Sequence, residues 1–160
     1  MAIAISSIGA KVSFAFESTP GTRPTEGYTK LPGIKEIPEM NPTPDTLETT
    51  SMDNTEYRTY IDGLKDLGGA LTFTANFTQE LYDLYNDAST GIIKKWDDAK
   101  KVGNAMWLCI DINGLKESCY LSVTPSKLGM PAASVNSVME ISLYFTPAGE
   151  PVWGDDPKYV

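Results

Sequence analysis

The sequence contains no histidine and has few other groups that could perform chemistry. Histidine is the commonest general base and metal ligand in proteins, so its absence removes the usual routes to acid–base and metal-assisted catalysis. No serine or cysteine nucleophile has a base partner nearby in the sequence. Neither a phosphate-binding loop nor a dinucleotide-binding fingerprint is present. We therefore expect no catalytic, cofactor or metal site, and no enzymatic activity.

Long apolar runs are missing as well. The longest, such as Ala105–Ile110, are far shorter than the ~20 residues that span a bilayer. The segment before Ser6 has neither a basic region nor an apolar stretch of leader length. These features predict a soluble protein that is made in the cytoplasm and has no membrane partner.

Basic residues are fewer than acidic ones. Thirteen Lys and Arg stand against 21 Asp and Glu, which gives a net charge of −8. Only two basic doublets occur, Lys94-Lys95 and Lys100-Lys101, whereas tight nucleic-acid binding needs clustered cations that release counterions from phosphates. Specific binding of nucleic acid is therefore disfavoured. An acidic protein can nevertheless line a passage through which DNA moves without being retained.

Cysteine is scarce, and the two cysteines are not expected to form a disulfide. Asn113-Gly114 is the strongest two-residue hairpin pattern in the sequence. In the register of such a hairpin, Cys109 lies opposite Ser118 and Cys119 lies opposite Leu108. Because neighbouring positions of a strand point to opposite faces of a sheet, the two sulfurs would lie on different sides. We expect free thiols, in agreement with a reducing compartment.

The composition that is present is typical of a single β-rich domain spanning residues 1–160. The chain is 41% hydrophobic and has 13 Gly and 11 Pro, which indicates a packed core joined by many turns. The clearest strand is Leu71–Thr78, in which apolar residues alternate with Thr and Asn. The other predicted strands are Lys11–Glu17, two short pieces of Tyr28–Met40, the Thr-rich Thr46–Met52, both sides of Asn113-Gly114, and a last strand with Met139, Ile141, Leu143 and Phe145 on one side.

One helix is predicted over Gln79–Ser89. Thr78 can cap it, an apolar stripe recurs at helical spacing, and Gly91 would end it. About seven strands and one helix without βαβ alternation predict an antiparallel β-sandwich or barrel with one flanking α-helix. Residues 1–10 would form an N-terminal arm, and Pro147–Val160 a Pro- and Gly-rich C-terminal tail.

The connection Asp53–Gly69 is long and has no regular pattern. A structureless loop of that length is uncommon in a compact domain unless it is functional or disordered. It holds more large apolar groups than a solvated linker would, together with charges of both signs. The loop therefore either contacts another subunit or folds back onto its own domain. The apolar residues are Tyr57, Tyr60, Ile61, Leu64 and Leu67, and the charged ones include Arg58, Asp62, Lys65 and Asp66.

Three stretches together resemble the major tail tube protein of long-tailed, siphovirus-type bacteriophages. The first is LPGIKEIPEMNPTPDTLETTS, which ends at Ser51. The second is TSMDNTEYRTYIDGLKDLGG, which leads into ALTFTANFT and a short helix. The third is VMEISLYFTPAGEPVW, which ends at Trp153. The order and spacing of the three carry the resemblance, which extends from about Lys11 to Trp153.

The resemblance implies subunits that close into six-membered rings and stack into a tube, in the virion tail, after assembly in the host cytoplasm. It implies partners: other copies of the chain, a tape-measure protein, a tail terminator, and baseplate or distal tail proteins. DNA would pass through the tube to the host without specific binding. The long loop would reach the adjacent ring, with the interface residues Tyr57, Arg58, Tyr60, Ile61, Asp62, Leu64, Lys65 and Leu67. Residues Thr72, Thr74 and Asn76, on the polar side of their strand, are candidates to face the lumen.

Two other functions are compatible with the sequence. A tube subunit of a contractile tail or a secretion machine would share the fold. A carbohydrate-binding β-sandwich module would instead need exposed aromatic side chains on one face, for which Trp96, Trp107 and Trp153 are the candidates. Whether these tryptophans share one exposed face therefore helps to distinguish a carbohydrate-binding module from a tube subunit.

Overall fold

The computed structural model describes residues 3–160, and within that range the chain is mainly β, as predicted. It has eleven strands and two helices. In chain order these are β1 Lys11–Phe16, β2 Glu26–Lys30, β3 Ile34–Glu36, β4 Thr43–Glu48, β5 Tyr60–Asp66, β6 Leu71–Asn76, α1 Gln79–Asn86, α2 Ile92–Val102, β7 Met106–Asp111, β8 Ser118–Pro125, β9 Glu140–Pro147, β10 Val152–Gly154 and β11 Lys158–Tyr159.

Nine strands form one curled sheet, and β4 and β5 form a separate two-stranded sheet. The order along the large sheet is β11-β2-β1-β7-β8-β9-β6-β3, and β10 pairs with β8 beside this path. All pairs are antiparallel except β11 with β2. β8 lies at the centre because it pairs with β7 along one edge and with both β9 and β10 along the other.

The main core lies on the side of the curled sheet that the two helices cover. Alternating strand positions supply it, among them Phe73 on β6 and Phe145 on β9, whose rings meet edge to face 5.5 Å apart. Both helices close the core, through Leu81 and Tyr85 of α1 and Ile92 of α2. The predicted strands Leu71–Thr78 and the last strand are confirmed, because their apolar faces both enter this core.

The prediction of one helix was wrong, because a second helix follows the first directly. Thr78 does cap α1, since its Oγ1 accepts from the Leu81 N–H at 3.2 Å. Gly91, which was expected to end that helix, is instead the N-cap of α2. A side chain at Gly91 would put Cβ 2.5 Å from the Asp87 carbonyl oxygen, so the tight turn between the helices requires glycine.

A second, smaller cluster lies on the opposite side of the sheet. Ala15, Tyr28, Cys109 and Tyr120 form it, and the C-terminal segment packs over it through Val152 and Tyr159. The Tyr159 hydroxyl donates to Asp111 at 3.0 Å, and the Val160 N–H donates to the Tyr28 carbonyl at 2.9 Å. Pro147–Val160 is therefore not a free tail: it supplies β10 and β11 and covers this part of the sheet.

The hairpin after β7 forms at the expected place but with a different register. Of the two turn residues only Gly114 has a positive φ, 93°, so the turn is not type I′ and does not match the twist of the strands. Relative to the predicted register, β8 is shifted by two residues, so that Cys109 lies opposite Tyr120 instead of Ser118 and Ile110 lies opposite Cys119. A shift of two keeps each residue on its expected face, and the cysteines are free and face different clusters.

We expect both thiols to react only after unfolding. Burial raises the pKa of the Cys109 thiol to about 11 and also raises the pKa of Cys119, so neither is a thiolate at neutral pH. A chromogenic disulfide reagent should therefore titrate two thiols per chain in denaturant without reductant, and react slowly with the native protein. Recovery of a disulfide from the native protein would contradict this placement.

Candidate assembly surfaces

The largest correction to the sequence prediction concerns Asp53–Gly69. Seven of its 17 residues form the strand β5, which pairs with β4 as an exposed hairpin arm. Between Pro44 and Thr46 the register shifts, because β5 has one more residue than β4 there, at Gly63 and Leu64. A Cβ at Gly63 would lie 3.2 Å from the Asp45 carbonyl oxygen, so the bulge favours glycine. β5 was missed because it has no alternating pattern: both of its faces are exposed.

The hairpin arm, defined as residues 43–66, presents large apolar side chains to solvent. Tyr60, Ile61 and Leu64 are exposed by 52%, 56% and 85%, and Tyr57 just before the strand is exposed as well. Leu47 on β4 lies directly opposite Ile61 and is exposed as well. Leu47 was missed because one apolar residue in a Thr-rich strand looked unremarkable. The arm thus carries exposed apolar side chains on both of its faces, with Leu47 and Ile61 on one and Tyr60 on the other, and it does not pack into the core.

The remaining predicted loop residues are divided between the tip and the root of the arm. Arg58 lies 3.9 Å from Glu48 across the hairpin, with both side chains exposed. Asp62 and Lys65 are exposed on β5. Leu67, in contrast, is half-buried and packs against the main core, so it anchors the root of the arm.

The polar side of β6 forms a second surface together with β9. Thr72, Thr74 and Asn76 lie opposite Tyr144, Ser142 and Glu140. All six are exposed or half-buried, while their strand neighbours are buried in the core. We call these six residues the polar face. Unlike the same side of β1, β7 and β8, the polar face is not covered by the C-terminal segment.

Charges near the polar face are partly neutralised by neighbours. Thr74 Oγ1 donates to a Glu36 carboxylate oxygen at 3.4 Å, and the Lys35 ammonium pairs with Glu140. The charged groups on the polar face and at its edge are therefore the carboxylates of Glu36 and Glu140 and the ammonium of Lys35. The surface is therefore hydroxyl- and amide-rich with a small negative charge, which suits contact with a passing polyanion better than it suits binding one.

Glu17, the one strongly buried carboxylate among residues 3–160, holds the end of β1 to β7. Its side chain is 6% exposed and accepts from the Trp107 indole N–H at 2.8 Å, from Gly21 N–H at 3.0 Å and from Ala105 N–H at 3.1 Å. Burial alone would raise the pKa of Glu17, but these hydrogen bonds to the ionised form outweigh it and lower the pKa below the usual 4.5. Glu17 thus has a structural role.

We expect Glu17→Gln to lower the free energy of unfolding by about 1–3 kcal/mol at pH 7, because an amide NH₂ cannot accept from the N–H groups that the lost oxygen served. Because the pKa of Glu17 is lowered on folding, its ionised carboxylate stabilises the fold above pH 4.5. This stabilisation is lost as the pH falls through the pKa of Glu17 in the folded state. Urea unfolding at pH 7 and pH 3 should therefore show a difference between wild type and variant that shrinks at low pH. An equal difference at both values would contradict the ionised role.

The three tryptophans do not share a surface. Trp96 packs against the main core, Trp107 packs against the second cluster and donates to Glu17, and Trp153 alone is more than half exposed. A flat platform for sugar rings needs aromatic side chains that lie together on one face. This arrangement speaks against the carbohydrate-binding alternative.

Residues 3–160 contain no cluster of three potential metal ligands among His, Cys, Asp and Glu. None of the helices described in this range has the length and apolar character needed to cross a membrane.

Comparison with solved structures places the fold among tail and injection machines. The chain is similar to a chain of the anti-feeding prophage baseplate, determined with six-fold symmetry (TM-score 0.64, 13% identity, 97% of this chain and 98% of that one). It is also similar to a chain of the sheath/tube terminator of an extracellular contractile injection system (0.59, 12%, 96% and 98%). A third likeness is to the SPP1 tail tube (0.52, 14%, 97% and 81%). No protein-family model and no curated protein matches the sequence. At these identities the comparisons establish the fold.

Proposed function

We propose that the chain is a structural subunit of a phage-type tail tube, which assembles with copies of itself into stacked hexameric rings. The observation that carries the proposal is a curled sheet with one uncovered polar face and one projecting apolar arm. A solvated polar face is common in antiparallel sheets, but exposed large apolar side chains on a projecting arm are unusual in a monomer and suit a contact between rings. The fold shared with tail and injection-machine proteins supports the same function.

The polar face is the proposed lumen wall. It carries Thr72, Thr74 and Asn76 on β6, and no lysine or arginine belongs to it. A phosphate backbone moving past these hydroxyls and amides meets no unpaired cation, because Lys35 at the edge of the face is paired with Glu140, so it is not retained. The net charge of −8 adds a general repulsion of DNA that acts over about 10 Å at moderate salt. DNA would therefore pass without specific binding.

The hairpin arm is the proposed contact with the adjacent ring. Its apolar side chains are exposed in the isolated chain, and burying them against another subunit would remove them from water. Arg58, Asp62 and Lys65 surround the apolar surface with charges of both signs, which can fix the register of a contact.

Weak individual contacts are sufficient for a stable tube. A contact of about −4 kcal/mol corresponds to millimolar affinity, which does not hold two free subunits together. In a ring, each later contact forms at high effective concentration, so the assembly is far more stable than any one pair. Free subunits would then stay monomeric until an initiating complex, such as a baseplate or distal tail protein, gathers them. The tape-measure protein and tail terminator would set and close the tube.

A tube subunit of a contractile machine is the second candidate. It is favoured by the likeness to chains of the anti-feeding prophage and of a contractile injection system, which have the higher TM-scores among the three comparisons. The siphovirus-type tube is supported by the SPP1 tail tube. Both candidates share the ring and the lumen, so the assembly experiments below apply to either, whereas the DNA-ejection experiment applies to a phage tail.

Electron microscopy of the purified protein at increasing concentration tests the proposal directly. Rings or tubes with a central channel are expected, at first above a sharp concentration threshold. Monodisperse monomers at every concentration, also in the presence of tail extracts that supply an initiator, would contradict self-assembly. Rings with a number of subunits other than six would correct the proposed symmetry but would leave the proposed function as a tube subunit unchanged.

A further inference from the structure

The N-terminal arm presents exposed apolar side chains, although residues 5–10 rest against their own subunit. From residue 3 to residue 10 it has no charged side chain, and Ile3, Ile5 and Ile8 are exposed by 86%, 51% and 83%. β1 begins at Lys11, opposite Asp111 at the end of β7, so the arm continues past the end of the sheet. Asn113 holds it there, since its amide N–H donates to the Ile8 carbonyl at 3.3 Å. The arm therefore lies against the turn between β7 and β8, where Ile5 approaches Gly114, and it leaves Ile3 and Ile8 almost fully exposed and Ile5 half exposed.

An apolar groove of about 660 Å³ opens at the root of the hairpin arm, within the range of about 300–1,000 Å³ typical of binding pockets. Its walls come from the segment after β3, the end of β5, the β7–β8 pair and β10, and include Ile37, Met40, Leu67, Ile112 and Trp153. Lys65 and Glu150 also line it. Trp153, the most exposed tryptophan, belongs to this wall, and none of residues 3–10 does.

We propose that this groove receives the N-terminal arm of a second copy of the chain, and that the pairing of arm and groove joins subunits within the assembly. The proposal rests on the self-assembly proposed above and names one of its contacts. An exposed apolar segment and an apolar groove on the same chain, with none of residues 3–10 in the groove wall, can form a head-to-tail interface that repeats from subunit to subunit. Such an interface closes into a ring or continues along a tube.

The chemistry of the arm fits the groove better than it fits other partners. Ile3 and Ile5 lie two residues apart, so both point to one side of an extended segment and can enter an apolar groove together. Because residues 3–10 have no charged side chain, burying them in the groove leaves no side-chain charge unpaired. The groove is also continuous with the root of the hairpin arm, at Lys65 and Leu67, so one neighbour can contact both surfaces.

The test uses Trp153 as a reporter and a variant of the arm. In Ile3→Ser, Ile5→Ser, Ile8→Ser the arm keeps its length and loses its apolar groups. The matched control, Met130→Ser, Val135→Ser, Val138→Ser, removes three apolar side chains of similar exposure from another loop. Assembly is followed by sedimentation, and Trp153 by emission wavelength and iodide quenching, with Trp153→Phe defining the signal of Trp96 and Trp107. Circular dichroism confirms that each variant folds.

We expect assembly of the wild type to shift Trp153 emission to shorter wavelength and to protect it from iodide. The arm variant should need a roughly tenfold or higher concentration to assemble, while the control assembles like the wild type. If the arm variant assembles normally, or if Trp153 stays quenchable in assembled wild type, the arm does not fill the groove and the tube proposal still stands. Failure of the wild type to assemble under any condition would overturn both.

Discussion

Replacing the apolar side chains of the hairpin arm with serine, in Tyr60→Ser, Ile61→Ser, Leu64→Ser, should leave a folded monomer that forms no tubes. These side chains are at least half exposed in the isolated chain and contribute little to its core. Each large apolar side chain that is buried on assembly contributes on the order of 1.5–3 kcal/mol. Losing three such side chains in every subunit therefore removes more binding free energy than the roughly 4 kcal/mol that one weak contact supplies. Negative-stain electron microscopy and sedimentation would measure the loss.

The matched control is Met130→Ser, Val135→Ser, Val138→Ser, which removes three exposed apolar side chains from a loop outside the hairpin arm. This variant should still form tubes, because it loses apolar surface to a similar extent and leaves the arm unchanged. Tubes of normal appearance from the triple serine variant would show that the arm is not a contact surface. Deleting Tyr57–Leu67 is a less specific change, because it would also remove β5 and the anchor Leu67.

The sequence predicted the parts of the fold in which one side of an element is buried. Leu71–Asn76 and the last strand alternate between core and solvent, and Thr78 satisfies an otherwise free N–H at the start of α1. In these places the local pattern and the tertiary environment agree. The curled sheet follows from a chain with many strands and no βαβ units.

The elements that were missed depend on context that the local pattern does not contain. The helix α2 has Ile92, Trp96 and Ala99 at helical spacing, but Gly91 before it was interpreted as an end when it is a beginning. β10 and β11 are too short to show a period, and they exist because β8 and β2 offer them unpaired edges. Their pairing was visible only once the sheet order was known.

The candidate site was predicted in composition but not in shape. The apolar and charged residues of Asp53–Gly69 marked it as more than a linker, yet the hairpin arm and its bulge came from the structure. The groove beside Trp153 could not be predicted, because its walls come from segments far apart in the sequence. Surfaces of this kind become visible only when the topology brings their parts together.

A positive charge on the polar face should slow DNA passage without preventing assembly. Thr72 and Ser142 are exposed, and their neighbours on β6 and β9 carry the core contacts. The double variant Thr72→Lys, Ser142→Lys therefore should fold and form tubes. Lysines at Thr74 or Asn76 would be less informative, because Glu36 and Glu140 lie beside these positions and would partly neutralise them.

In tails built from this variant, two lysines per subunit repeat around every ring and form positive bands along the lumen. Because a few additional phosphate contacts change nucleic-acid affinity by orders of magnitude, we expect genome ejection to slow by roughly tenfold or more, and to recover at higher salt. Val135→Lys with Val138→Lys adds the same charge on an exposed loop outside the polar face and should leave ejection unchanged. Tails would be scored by electron microscopy and ejection by release of DNA. Normal tails with normal ejection would place the polar face away from DNA, and absent tails would identify it as a contact between subunits.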